Sequence, residues 1–270
     1  MRVTPIKTPL VEKGQQLLGI LLAALPRPLR ERDIVCVTSK IVSVEQGRLV
    51  DLSTVAPSPR ALDLLATIPT PRHPMHPGEA ELILRESELA IPGDPVWLTI
   101  KDGIFIANAG IDLSNVPAGY AILWPDRPWE WGRAFCGQLK ARFGLRELGV
   151  ILTDSRCVPL RRGVIGVAMA YSGFEGVESQ KGKPDLFGRP LQFTEKSVAD
   201  DLASAAILVT GEANERMPFV LVEDAPAVFT DRPFGPADVL VDPCIDMFAG
   251  MYSDSFKRCI ADSPAREAQP

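Results

Sequence analysis

The run I-V-C-V-T (Ile34–Thr38) is apolar at consecutive positions and too short for a helix, which makes it a strand buried in a sheet. Further strands read from G-V-I-L-T (Gly149–Thr153), V-I-G-V-A-M-A (Val164–Ala170) and P-F-V-L-V (Pro218–Val222). P-V-W-L-T-I and G-I-F-I-A flank Lys101-Asp102 and predict a β-hairpin. Helical spacing runs over Val11–Leu25 until Pro26–Pro28 ends it. It recurs briefly at Arg60–Ala66 inside the Pro-rich Ser53–Gly78, then over Glu79–Leu89 and Trp129–Phe143. Thr194 is placed to cap a helix whose apolar face is Val198, Leu202, Ala205, Ala206 and Val209. Strands and helices mix without regular βαβ alternation, so the expected fold is α+β, with mixed sheets and flanking helices.

A chain of 270 residues can build one large domain or two intimate ones around a substantial core. Its net charge of −5 argues against a long nucleic-acid footprint. The longest apolar run, Leu17–Leu25, falls well short of the roughly 20 residues that a membrane span needs. The N-terminal M-R-V-T-P-I-K-T-P has no apolar stretch of the signal-peptide kind. Five scattered cysteines, without a C-x-x-C pair, point to reduced thiols in a cytoplasm. The polar residues 263–270 read as a disordered tail.

Several catalytic schemes drop out. The two histidines, His73 and His76, sit in P-R-H-P-M-H-P, where the prolines favour an extended surface loop over a metal site. There is no G-x-S-x-G elbow, and no histidine elsewhere to serve a catalytic triad. G-V-E-S-Q-K-G-K (Gly176–Lys183) has the wrong glycine spacing for a P-loop, with Pro184 where a Mg²⁺-binding hydroxyl should stand, and reads as a flexible turn.

What remains is a distributed set of charged groups. Asp112 lies in A-N-A-G-I-D-L-S-N-V (Ala107–Val116), and Asp154 follows G-V-I-L-T directly, with Ser155 next. A carboxylate leaving a strand projects from rigid backbone, and oxygen ligands of this kind suit hard cations such as Mg²⁺ or Mn²⁺. Taken singly, each Asp reads more readily as a helix cap or turn former than as a ligand. Arg156, Arg161, Arg162, Lys181, Lys183 and Arg189 form a local basic excess, which fits either a nucleotide triphosphate or a solvated loop.

The blocks S-K-I-V-S…G-R (Ser39–Arg48), A-N-A-G-I-D-L-S-N-V, V-I-L-T-D-S…L-R-R-G (Val150–Gly163), D-L-F-G-R (Asp185–Arg189), V-A-D-D-L-A-S-A-A (Val198–Ala206) and T-G-E (Thr210–Glu212) occur in that order. Together they resemble the coenzyme F-420-0:γ-glutamyl ligase family. The resemblance implies a metal-dependent amide ligase that uses GTP, or ATP, to join L-glutamate to the carboxylate of a cofactor precursor. It implies an α+β fold of two interleaved subdomains over 1–224 and a homodimer formed through intertwined β-structure, with the site between subdomains. A C-terminal extension, 225–262, is expected to pack on this domain. Position by position, Asp112 and Asp154 match ligands of one Mg²⁺ or Mn²⁺, and Ser155 and Glu212 ligands of a second. K⁺ is admitted as an accessory ion. Pro9, Leu10, Val11, Ser39, Lys40, Asn115, Thr210, Gly211, Glu212, Ala213, Asn214 and Pro218 fall where the nucleotide is held, and Arg161 joins the two aspartates as a catalytic candidate.

The chain departs from the family pattern in two places. Val44 replaces a second lysine and Gln46 a glutamate in the first block, and after Asp154 the usual T-x-G-R becomes S-R-C-V, which moves an arginine to Arg156. The acceptor is therefore F-420-0 or, as in folate-glutamylating relatives, a folate or dihydropteroate. A non-catalytic nucleotide- or cofactor-binding protein is the competing class, and it would predict loss of the carboxylates that this chain keeps.

Overall fold

The computed structural model describes residues 1–261. Strands β1 (Arg2–Ile6), β2 (Asp33–Thr38) and β3 (Leu49–Asp51) alternate with helices α1 (Leu17–Ala24) and α2 (Ser39–Glu45). Helices α3 (Pro59–Ala66) and α4 (Pro77–Glu86) precede the meander β4 (Leu89–Ile91), β5 (Leu98–Lys101) and β6 (Ile104–Ala107). After β7 (Tyr120–Ile122) come α5 (Pro128–Phe143), the long pair β8 (Leu148–Cys157) and β9 (Val164–Ser172), and the short pair β10 (Val177–Ser179) and β11 (Glu195–Ser197). Helix α6 (Val198–Thr210), β12 (Phe219–Glu223) and α7 (Asp254–Ala261) complete the order. The class is α+β, as the irregular mixing of strands and helices requires.

The chain divides into two compact units: Met1–Val42 with Arg127–Asp238, and Ser43–Asp126 with the chain from Val239 onward. The first is built on a five-stranded sheet in the order β1-β12-β2-β8-β9, in which only β2 and β8 run parallel. I-V-C-V lies in the interior of this sheet, with every side chain from Ile34 to Val37 buried. Helix α6 lays Ala199, Leu202, Ala203 and Ala206 on Ile34, Cys36, Ile151, Val220 and Val222. Each large apolar side chain buried there contributes about 1.5–3 kcal/mol relative to exposure. The close approach depends on Gly166, where a Cβ would stand 2.4 Å from the Ala203 carbonyl oxygen. Helix α5 packs on β8 and β9.

The second unit holds the pair β3–β7, the meander β4-β5-β6, and a core of Leu52, Ala61, Ala80, Ile83, Trp97, Ile111 and Ala121 among others. The expected β5–β6 hairpin turns through Asp102 (φ +51°) and Gly103 (φ +74°), both left-handed, as a two-residue I′ turn demands.

Several element boundaries differ from the sequence reading. Helix α1 starts only at Leu17, because Glu12 and Gln15 close a polar turn with left-handed Gly14 before it. Helix α4 ends at Glu86, where the Ser87 hydroxyl donates back to the Ile83 carbonyl (2.6 Å), and Leu89–Ile91 pairs with β5 instead. Ser197, not Thr194, precedes α6, because Glu195–Ser197 extends as β11 against β10 and delays the helix. The run Gly176–Lys183 supplies β10 and its turn, not a free loop. His76 is an N-cap: its Nδ1 accepts the Gly78 N–H (3.0 Å), with Pro77 in the first helical turn. Beyond Glu223, Ala225, Ala227 and Phe234 enter the first unit's core, whereas Tyr252 and Phe256 pack against Phe105 in the second. The expected tail, 263–270, lies outside the described residues.

An ion cluster ties the start of β2 to the end of β12. Both Arg27 terminal nitrogens donate to the buried Asp33 carboxylate (2.7 and 2.9 Å), and one also donates to Glu223 (2.6 Å). The Arg27 hydrogen bond is the main force holding the Glu223 carboxyl below its usual range. A depressed folded-state pKa gives stability that is present above the unfolded value, about 4.3, and is lost as pH falls through the folded one. Arg27→Met is therefore expected to cost about 2 kcal/mol at pH 7, mostly by stranding Asp33. The part of that cost owed to Glu223 should disappear from thermal denaturation as pH drops below about 4; a gap that does not change with pH would remove the Glu223 contribution.

Candidate active site

The sheet of the first unit gathers most of the candidate residues at one end. Strand β1 runs antiparallel to β12, β12 antiparallel to β2, and β2 parallel to β8. The C-terminal ends of β1, β2 and β8 therefore lie together with the N-terminal end of β12. Pro9, Leu10 and Val11 follow β1, Ser39-Lys40 follow β2, Asp154-Ser155 lie just past the last β2–β8 pair (Thr38 with Thr153), and Thr210–Pro218 leads into β12. Three hydrogen bonds stitch these segments. The Thr8 N–H donates to the Arg216 carbonyl (3.0 Å), the Thr38 N–H to the Pro218 carbonyl (2.9 Å), and the Ser39 hydroxyl to Asp154 Oδ1 (3.3 Å).

Local structure sets how each group is presented. The β8–β9 register shifts between Leu152 and Thr153, and an irregularity of this kind re-aims the side chains that follow it, here Asp154 and Ser155. Thr210 is buried and its hydroxyl donates to the Ile207 carbonyl (3.1 Å), closing α6. Gly211 (φ +74°) then turns the chain over the Glu215 carboxylate, which accepts the Ala213 N–H (2.9 Å). Glu212, Ala213 and Asn214 are left exposed around that turn, Leu10 is exposed, and Pro218 is buried. Arg161 is exposed in the β8–β9 turn, its N–H donating to the Val158 carbonyl.

Asp112 and Asn115 belong to the second unit. Asn108 (φ +50°), Ala109 (φ +54°) and Gly110 (φ +74°) are consecutively left-handed, a costly backbone held by its surroundings. Asn108 Oδ1 accepts the Trp97 N–H (2.8 Å), and the buried Thr99 hydroxyl accepts the Ala109 N–H (2.8 Å). Asp112 then exchanges two backbone hydrogen bonds with Ile122 (2.9 and 3.0 Å), while its carboxylate accepts from the Ser114 N–H and hydroxyl (2.7 and 2.9 Å). Asn115 is exposed with φ +55°. The stretch A-N-A-G-I-D is a rigid mount for one carboxylate.

The donors fit a hard divalent cation: Asp112, Asp154, Ser155 and Glu212 offer only oxygen. Among the described residues no three His, Cys, Asp or Glu side chains assemble as a metal-binding group. Mg²⁺ and Mn²⁺ bound with a nucleotide take much of their shell from water and phosphate oxygens, so one or two carboxylates suffice for each.

Two residues that depart from the family pattern have structural roles or neighbours of their own. Gln46 donates to the Asp126 carbonyl (2.9 Å) and accepts the Asp126 N–H (2.7 Å), so its amide clamps backbone. Arg156, unassigned by the sequence reading, has a buried Nε without a hydrogen-bond partner. Glu79 was also passed over. It is buried, within the field of Asp112, and accepts from Asn108 Nδ2 (3.4 Å); burial foremost raises its carboxyl pKa. Its place three residues after the His76 cap is the one signal that could have marked it. No helix among the described residues is long and apolar enough to cross a membrane.

Comparison with known proteins assigns the family. The sequence model of F420-0:Gamma-glutamyl ligase matches residues 5–224. The chain is 34% identical over 247 residues to a coenzyme F420:L-glutamate ligase of Methanothermobacter thermautotrophicus, covering 90% of this chain and 96% of that protein. It is 37% identical over 202 residues to the Methanopyrus kandleri ligase of that name, covering 74% and 78% of the two chains. With the Haloarcula marismortui ligase it shares 38% over 198 residues, 73% of this chain and 77% of the other. The chain belongs to the F420-0:gamma-glutamyl ligase family.

Proposed function

We propose that this chain couples hydrolysis of a GTP-type nucleotide to the addition of L-glutamate onto the carboxylate of coenzyme F-420-0. Family membership makes it an acid–amino-acid ligase forming a carbon–nitrogen bond. The observation that carries the finer reading is the convergence of Pro9–Val11, Ser39-Lys40, Asp154-Ser155 and the Thr210–Pro218 turn at one end of the sheet. Oxygen ligands and the start of a chain segment bearing Lys40 are what a nucleotide phosphate group needs nearby.

A carboxylate does not condense with an amine unaided, because oxide is a poor leaving group. Transfer of the γ-phosphoryl to the acceptor carboxylate gives an acyl phosphate and the nucleoside diphosphate; attack by the glutamate amine then forms the amide and releases phosphate and a proton. Such transfer rests on positioning and charge neutralisation, so a site without catalytic His or Cys is sufficient. Mg²⁺ or Mn²⁺, when bound, neutralises phosphate oxygens. Asp112, Asp154, Ser155 and Glu212 supply its ligands, with K⁺ as an accessory ion. Lys40 and Arg161 offset negative charge, and Asn115 and the Thr210–Pro218 turn orient the nucleotide.

A folate or dihydropteroate acceptor is the second reading, left open by the S-R-C-V departure beside Asp154. Supplied with GTP, Mn²⁺, glutamate and each acceptor separately, the protein is expected to add a glutamyl residue to F-420-0, detected by mass spectrometry, with phosphate released only when glutamate and acceptor are both present. Glutamylation of the folate alone would move the assignment to the second reading. Phosphate release without acceptor would remove both.

A homodimer in a cytoplasmic setting completes the proposal. On the β10–β11 arm, Leu186, Phe187 and Phe193 are 99%, 83% and 84% exposed. Apolar side chains so placed, on a turn fixed by Asp185 accepting the Phe187 and Arg189 N–H groups, suit burial against a second copy. Sedimentation should give a dimer for the parent and a monomer for the double variant Phe187→Asp, Phe193→Asp.

A further inference from the structure

We propose that Arg156 is a specificity-determining residue of this site, holding an oxyanion of one substrate beside Asp154. The inference rests on the ligase reading above. Asp154 and Arg156 are two residues apart on β8, past its register shift, so their side chains leave the same face of the strand. Arg156 opposes Ile165 on β9 and its Nε is buried without a hydrogen-bond partner. The two carboxylates whose fields reach its guanidinium are Asp154 and Asp200. Asp200 is already committed: Oδ1 accepts the Ala168 N–H and Oδ2 the Ser197 hydroxyl, both at 2.8 Å. Asp154 accepts from Ser39 (3.3 Å) and is assigned to a cation.

A half-buried arginine whose buried Nε–H is orphaned is an incomplete arrangement, since buried polar groups are retained where a partner completes them. The planar guanidinium fork matches two oxygens of a carboxylate or a phosphoryl group, which a lysine cannot reproduce. Both anions are substrates of the proposed reaction: the phosphoryl of the nucleotide and the carboxylate of the acceptor. The shared chemistry is recognition of a substrate oxyanion, and kinetics separate the two sources.

The full chain carrying Arg156→Gln or Arg156→Lys is assayed with Mn²⁺ while nucleotide, glutamate and acceptor are varied in turn. One KM is expected to rise about 10- to 100-fold in Arg156→Gln, as for loss of a charged hydrogen-bonding group. The other two KM values and the thermal midpoint should hold, and Arg156→Lys should recover part of the loss. A rise in the nucleotide KM identifies the phosphoryl group, a rise in the acceptor KM identifies its carboxylate, and a rise in the glutamate KM alone overturns both assignments. If no KM moves, or all three move together with a fall in thermal midpoint, Arg156 is structural and the proposal fails. Should Arg156→Gln not fold, Arg156→Lys carries the same test. If the parent forms no γ-glutamyl product, the ligase reading fails by itself; calorimetry with Mn²⁺·GTP and with inorganic phosphate then decides, weaker binding by Arg156→Gln sustaining the oxyanion role and equal affinity overturning it.

Discussion

Asp154→Ala is expected to lower metal-dependent γ-glutamyl ligation by about 10³-fold or more while the thermal midpoint moves only a few degrees. The two halves of this expectation have separate causes. Asp154 lies within β8 just past the end of its ladder with β2, and the backbone bonds around it belong to β9. Its carboxylate accepts a long hydrogen bond from Ser39, at 3.3 Å, which contributes on the order of 1 kcal/mol or less. That bond by itself is a small part of the stability of the fold. In the proposed reaction the loss is large, because charge accumulating on the transferred phosphoryl would be offset by fixed charges, and losing a ligand of the proposed cation would remove the largest of them. Asp154→Asn separates charge from shape: it keeps an acceptor for Ser39 but loses the negative charge, and should behave like Asp154→Ala. Rates measured over a Mn²⁺ titration decide the matter. Full turnover of either variant at saturating Mn²⁺ would take Asp154 out of the site.

Four strands of the first unit, β2, β8, β9 and β12, were legible because their apolar runs have one use, whereas the mixed R-V-T-P-I of β1 gave no such signal. I-V-C-V offers no polar face, so it had to be interior, and β2 is the middle strand of its sheet. Elements whose ends depend on contacts distant in sequence were less legible. Nothing local in Glu195–Ser197 says that it pairs with Val177–Ser179, yet that pairing moves the start of α6 from Thr194 to Val198. His76 looked like a loop residue because its capping role appears only once Pro77 and Gly78 turn into a helix. Within the site, the sequence places Asp154 at the exit of a strand ending at Thr153, whereas β8 runs on to Cys157 and only its ladder with β2 stops there, a limit set by the length of β2. Arg156 was legible only as one of a basic group and as a departure from the family pattern, because burial of its Nε depends on how β8 and β9 are covered, which spacing along the chain does not encode.

Gly110→Ala is expected to destabilise the protein by about 3–4 kcal/mol and to lower its thermal midpoint by about 10 °C. Gly110 has φ +74°, where an alanine costs roughly 1–2 kcal/mol. Its Cβ would also stand 2.4 Å from Trp124 Cε3 and 3.1 Å from Cδ2. Trp124 is only 3% exposed, so the indole has little room to yield; such overpacking adds about 1–3 kcal/mol. Whatever relief the chain finds must come from the Asn108–Gly110 turn itself, two residues before Asp112. The surviving folded protein should accordingly need more Mn²⁺ for half-maximal activity. Gly119→Ala is the control: it has a similar φ of +83°, but nothing lies within 4 Å of its Cβ, so it should lose only the conformational part, about 1 kcal/mol. The difference between the two variants isolates the indole contact. If both melt alike, Trp124 gives way at no cost, and the rigidity ascribed to the Asp112 mount does not exist.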